Sequence, residues 1–242
     1  MEGFSKDFGT GYGFSDGSQF SSNPTFSHEI DKVLRQVQEL HDLDENEWSM
    51  RTYKKQYNVP AWKGSYNKER NVMRIKGGVK APLEKVLTYI LEPPYGVRNQ
   101  GKVEASNRII EKIGSGAVLF YHEGQGKVLC CCRIAPRDGV FIAGLKLLTT
   151  DTAIFAMKTV DHPSYPPKED GYRVNAPLIG LFVQQEGDVT NVESFLAEMD
   201  LGGKFGKVGP GKALGQAVQQ MVYLARDIPR QQDVAPPYRQ LL

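Results

Sequence analysis

His122-Glu123 raises the question of metal-dependent hydrolysis, because a zinc-protease helix carries His-Glu with a second His one turn later. Gly126 stands where that second His is needed, and the segment reads as a strand rather than a helix. The four histidines, His28, His41, His122 and His162, have no ligand spacing. Gly206 to Ala213 nearly spells a phosphate-binding loop, but Ala213 replaces the Ser or Thr that would hold Mg²⁺. Gly114-Ser115-Gly116 lacks the flanks of a nucleophile elbow. Cys130, Cys131 and Cys132 are adjacent, which suits neither a disulfide framework nor a zinc site, and they read as small residues in or beside a strand. The expectation is a chain with no catalytic centre, no metal and no cofactor.

With 242 residues, 40% hydrophobic and 24% charged, the chain can bury a sizeable core without staples. Its 30 basic and 28 acidic residues nearly cancel, which argues against nucleic acid as a partner. No window reaches the roughly 18 apolar residues of a membrane span, and no basic stretch followed by an apolar core opens the chain. Cytoplasmic residence with transient peripheral membrane contact is therefore expected, for a protein read as a monomer.

The elements that would position any site follow from periodicity. Residues 1–27 mix Gly, Ser and aromatics with no aliphatic face and read as a flexible tail. Residues 28–228 read as one domain, and 229–242, with Pro236 and Pro237, as a second tail. A helix capped by Ser27 carries Ile30, Val33, Leu34, Val37, Leu40 and Leu43. Aromatic-rich strands run from Trp48 to Ile75, with a hairpin turn at Asn67 to Arg70. A second helix starts at Ala81 and stops at Pro93 and Pro94. Strands are then expected at 108–113, 117–123, 128–134, 140–148, 153–160, 172–185 and 189–201, and a last helix from Pro210 to Ile228. Connections this short exclude βαβ crossovers, so the sheet should be mostly antiparallel and the class α+β.

Several strings sharpen this order. Ala135-Pro136-Arg137-Asp138-Gly139-Val140-Phe141 forms an Arg-Asp pair ahead of an apolar strand. Thr159-Val160-Asp161-His162-Pro163 leads through Tyr165-Pro166-Pro167 to Tyr172-Arg173-Val174, and Met199-Asp200-Leu201-Gly202-Gly203 precedes the last helix. Over residues 28–228 these resemble the START family, the steroidogenic acute regulatory-related lipid-transfer domains. The resemblance implies a helix-grip fold: a curved, mostly antiparallel sheet wrapped around a long C-terminal helix, with an internal apolar tunnel. It departs from the family at Arg98 to Gly101, where a Trp-Asp pair is usual, and at Ala143, where a strand arginine is usual.

Strand alternation, with Lys146 and Lys158 directed to solvent, turns Phe141, Ala143, Leu145, Phe155, Met157 and Thr159 inward. By alternation alone this inward set could equally be a solid core; the tunnel comes from the resemblance. The resemblance also turns Leu119, Tyr121 and Glu123 inward, and makes Glu123, with Tyr121 and Arg137, the headgroup contacts. Structural alternatives are an ion pair of Glu123 with a basic neighbour such as Lys127, and a bracing role for Arg137 and Asp138. By the same resemblance Leu214, Val218 and Met221 of the last helix are expected to complete the lining, and Gly124 and Gly126, in the turn matching the family's mobile loop, to serve a gate. The expected function is to bind one lipid, whether phospholipid, sterol or ceramide-like, and transfer it between membranes. A lipid-sensing interaction module and, behind it, a helix-grip enzyme acting on a hydrophobic substrate are the alternatives.

Overall fold

In the computed structural model, residues 20–21, 24–54, 59–66, 70–91, 105–113, 116–124, 127–129, 132–203, 207–208, 221, 225 and 228 are described. The chain starts with β1 (Phe20–Ser21) and α1 (Pro24–Asp42), and a turn of 3-10 helix (Glu45–Glu47) leads to β2 (Ser49–Lys54), β3 (Val59–Tyr66) and β4 (Arg70–Val79). After α2 (Leu83–Leu91) come β5 (Ala105–Ile113), β6 (Ala117–Gly124), β7 (Lys127–Leu129) and β8 (Cys132–Ile134). Next are β9 (Arg137–Leu147), β10 (Thr152–Thr159), β11 (Tyr172–Arg173), β12 (Ile179–Glu186), β13 (Val189–Ala197), β14 (Met199–Asp200) and β15 (Lys207–Val208).

The main sheet runs β1-β5-β6-β9-β10-β12-β13-β4-β3-β2, with β11 beside β9. Its pairs are antiparallel apart from β1 on β5 and β11 on β9. Meanders of short connections produce this mostly antiparallel order, as the spacing of turn residues predicts.

Four expectations change. The tail reading of residues 1–27 fails at its end, because Phe20 and Ser21 pair with Lys112 and Ile113 and the first helix starts at Pro24, not after Ser27. Proline suits a first helical turn, where its missing N–H has no partner to lose. The strand expected at 128–134 is two short strands, β7 and β8, paired to each other as a hairpin apart from the main sheet. The run 172–185 is divided around Pro177, which has no N–H for a ladder. The run 189–201 breaks after Ala197: β14 leaves the sheet to pair with β15, and Asp200 Oδ1 accepts from Gly202 N–H at 2.8 Å. Gly202 and Gly203 then take φ of 69° and 61°, where a β-carbon is costly.

Two apolar layers lie on opposite faces of the sheet. On one, Ile30, Val33, Leu34, Val37 and Leu40 of α1 pack on Leu119, Val140, Ile142, Ile154, Ala156 and Phe182. Gly144 and Gly180 let the helix approach closely, since a Cβ on them would lie 2.5 Å from Ile30 Cγ1 and 2.3 Å from Val37 Cγ2. At the far end of α1, His41 stacks on Phe182 and hydrogen-bonds Glu193 at 3.4 Å. Glu193 also accepts from Arg74 Nε at 3.0 Å, and Arg74 lies over Trp48 and Trp62. The other layer, the inner face, is covered partly by α2, anchored where Gln185 Oε1 accepts from Leu83 N–H at 2.8 Å. Met221 and Ile228 join this layer; Met221 and Ala225 are helical, and the rest of the expected C-terminal helix lies outside the described residues.

Candidate functional site

Antiparallel register carries the inner face from strand to strand. One cross-strand row reads Val118, Ala143, Met157, Ile179, Leu196, Met73 and Lys63. The neighbouring row holds Leu145, Phe155, Leu181, Ser194, Ile75 and Ala61. On the other side of the first row, Phe120, Phe141 and Thr159 align, with the Phe120 and Phe141 rings stacked 5.4 Å apart.

Cover over this surface is uneven. Phe120, Phe141, Ala143, Leu145 and Phe155 are buried, as are Met221 and α2's Leu83, Val86, Leu87 and Ile90. Met221 is seated on Gly77, where a Cβ would fall 2.6 Å from its Cγ. Met157, Ile179, Leu181, Leu196, Met199 and Leu201 belong to the same layer but are only partly buried. Apolar side chains held together by a sheet and left incompletely covered form a surface on which an apolar ligand gains burial.

Phe141, Ala143, Leu145, Phe155 and Met157 thus lie together on the inner face, as alternation predicts, and Met221 meets the same layer. Leu214, Val218 and Gly126 lie outside the described residues, while Gly124 ends β6 opposite Arg137. The lysines that set this parity do face the other way, but Lys158 is not free in solvent: its ammonium donates to Glu29 of α1 at 2.6 Å.

The reading of β6 is overturned. Leu119 and Tyr121 lie on the α1 face, and the inward residues are Val118, Phe120 and His122. Tyr121 donates to Asp138 Oδ2 at 3.0 Å, and burial followed by that bond raises its pKa. Glu123 aligns with Asp138 and binds Lys168 at 2.5 Å, part-exposed, rather than reaching inward; the Lys127 side chain lies outside the described residues. Both faces of β6 are apolar because each is covered, one by α1 and one by the inner layer, so alternation carries no signal of parity there.

Arg137 is a brace as well. Its guanidinium donates to the carbonyls of Leu201 at 3.1 Å and Ala135 at 3.0 Å, tying the start of β9 to the turn after β14. Asp138 is buried and also accepts from Arg173 Nη2 at 3.1 Å.

Among the described residues, polar groups on the inner face are few. His122 stands edge-on to Phe141 with centroids 6.1 Å apart, and burial lowers its pKa, so the imidazole is held neutral. Thr159 is occupied by Ala176, and Asn71 donates to Glu198 at 3.4 Å. Lys63 ends the first row beside Met73. His122, Lys63, Ile179, Leu181 and Leu196 are the site residues the sequence reading missed. Of these, Ile179 and Leu181 had a visible signal, since they alternate with Gly180 and Phe182 on a strand opposite Phe155 and Met157. A hollow of about 540 Å³ lies by the start of α1 between Phe26, Asp161 and Asn175, but its Lys158–Glu29 pair and Arg173 are already engaged by the protein.

No family model and no curated protein sequence matches the chain. Solved structures do. Human StAR-related lipid transfer protein 5 superposes with a TM-score of 0.65 at 19% identity, over 86% of this chain and 96% of that one. Human STARD10 gives 0.61 at 16%, over 88% and 84%. The human StarD13 (DLC2) lipid transfer and protein localization domain gives 0.58 at 13%, over 83% and 98%. The strand order, the α1-covered face and these superpositions together establish that the chain has the fold of the StAR-related lipid-transfer domains.

Proposed function

We propose that this chain holds one lipid against its inner face and carries it between membranes. The observation behind this reading is the partly covered apolar row Met157, Ile179 and Leu196, extended by Leu181, Met199 and Leu201, within an otherwise buried layer. Two of the fold neighbours, a StAR-related lipid transfer protein and a lipid transfer and protein localization domain, support it.

Burying an acyl chain removes about 0.8 kcal/mol per CH₂ of exposure, so roughly 12 kcal/mol keeps a chain of about 16 carbons out of water. A bilayer offers the same gain. An apolar protein site therefore leaves the exchange nearly neutral and lowers only the cost of crossing water, which requires no covalent step. No helix among the described residues is long and apolar enough to cross a membrane, and contact with membranes is read as peripheral.

His122 is the polar group that would meet a ligand near the β6 end of the surface. Native mass spectrometry of the purified full chain, with lipid extraction, tests the function. A bound lipid of one-to-one stoichiometry is expected; protein that stays empty after incubation with mixed-lipid vesicles would end the reading.

A further inference from the structure

Lys63 is an anomaly on the inner face. In β3, Val59 and Ala61 are buried in the inner layer and Trp62 packs on the α1 face, so alternation brings Lys63 to the inner side, opposite Met73. It is partly buried. Among the described residues its ammonium makes no hydrogen bond or ion pair; the neighbouring bond, from Ser49 Oγ at 3.1 Å, goes to its main-chain carbonyl. The other cations of this sheet region are engaged: Arg74 and Lys76 by Glu45 and Glu193, and Lys80 by Asp188. A part-buried cation that no described residue neutralises is costly unless something else supplies the counter-charge.

Its position suggests what does. The row from Met157 through Ile179, Leu196 and Met73 to Lys63 crosses four strand spacings, roughly 19 Å at about 4.8 Å each. One leaflet of a bilayer's hydrocarbon core is about 15 Å deep. Met157, Ile179 and Leu196 of this row are only partly buried, Met73 is buried between Leu196 and Lys63, and Lys63 is the one cation at the row's end. We infer that the lipid of the proposed function is an anionic amphiphile, with a carboxylate or phosphate head bonded to Lys63 and its chain along the partly covered Leu196, Ile179 and Met157. This rests on the lipid-binding reading and narrows it to one ligand class.

Three probes sharing one chain separate the possibilities: oleate, oleyl phosphate and oleyl alcohol, titrated against the full-length protein by displacement of a fluorescent fatty alcohol. Wild type should prefer at least one anionic probe to the alcohol, the stronger of the two naming the head. Lys63→Gln should lower that preference about tenfold, as expected for loss of a charge-assisted hydrogen bond, while Lys63→Arg retains most of it. Circular dichroism of each variant shows whether it folds, and the Arg variant reads the charge even if the Gln variant does not. An anionic preference unchanged in Lys63→Gln, or binding of all three probes alike by wild type, overturns the role of Lys63 and leaves lipid binding intact. Failure of wild type to bind any probe or vesicle lipid removes the underlying reading instead.

Discussion

Val37 of α1 lies directly over Gly180 of β12, so closely that a Cβ on the glycine would be 2.3 Å from Val37 Cγ2. Gly180→Ala is therefore expected to lift the helix rather than gain strand propensity. Val37 is fully buried and too short to swing aside. Overpacking of this kind costs about 1–3 kcal/mol, readable as a lower denaturant midpoint at unchanged slope. Faster amide exchange in α1 than in β4 would locate the damage.

Glu193 ties α1 to the sheet electrostatically. Burial alone would raise its carboxyl, but the His41 hydrogen bond and the Arg74 and Lys76 charges hold it at about 2, below its ordinary 4.5. A depressed carboxylate stabilises above its ordinary value, and that contribution is lost as pH falls from about 4.5 towards 2. Glu193→Gln should cost on the order of 3 kcal/mol at neutral pH and flatten the acid limb of stability over that window. An unchanged acid limb in urea melts would show that Glu193 does not set it.

The adjacent residues His122 and Glu123 should behave oppositely. Glu123→Ala is expected to leave lipid selectivity alone, because its carboxylate binds Lys168 on the α1 side of the strand. His122→Leu should alter selectivity and one pH dependence. With its folded pKa lowered by burial, His122 takes up a proton more readily unfolded, so wild-type stability falls as pH drops below 6.5. That fall should be reduced in His122→Leu. Selectivity that follows Glu123 would reverse the face assignment of β6.

How much of this was legible in sequence varies with how many faces of an element are covered. Helix α1 showed itself through Ile30, Val33, Leu34, Val37 and Leu40, because one side is buried and the other charged. β9 and β10 were readable because Lys146 and Lys158 break the apolar pattern on one side only. β6 was not, since Val118 and Phe120 face one layer while Leu119 meets the other. In sequence Arg137 reads either as a headgroup contact or, with Asp138, as a brace, and only tertiary placement reveals Leu201, Tyr121 and Arg173 as their partners. Lys63 was hidden for a related reason: register, not composition, puts it at the end of an apolar row.

The central claim is that a lipid chain lies along Met157, Ile179, Leu181 and Leu196. Photocrosslinking with a lipid carrying a diazirine midway along its acyl chain, followed by peptide mapping, reads this directly. The expected adducts fall in β10, β12 and β13 on those residues, and tryptophan at Leu181 should suppress them. Adducts confined to α1 or its underlying residues, or adducts unaffected by Leu181→Trp, would contradict it.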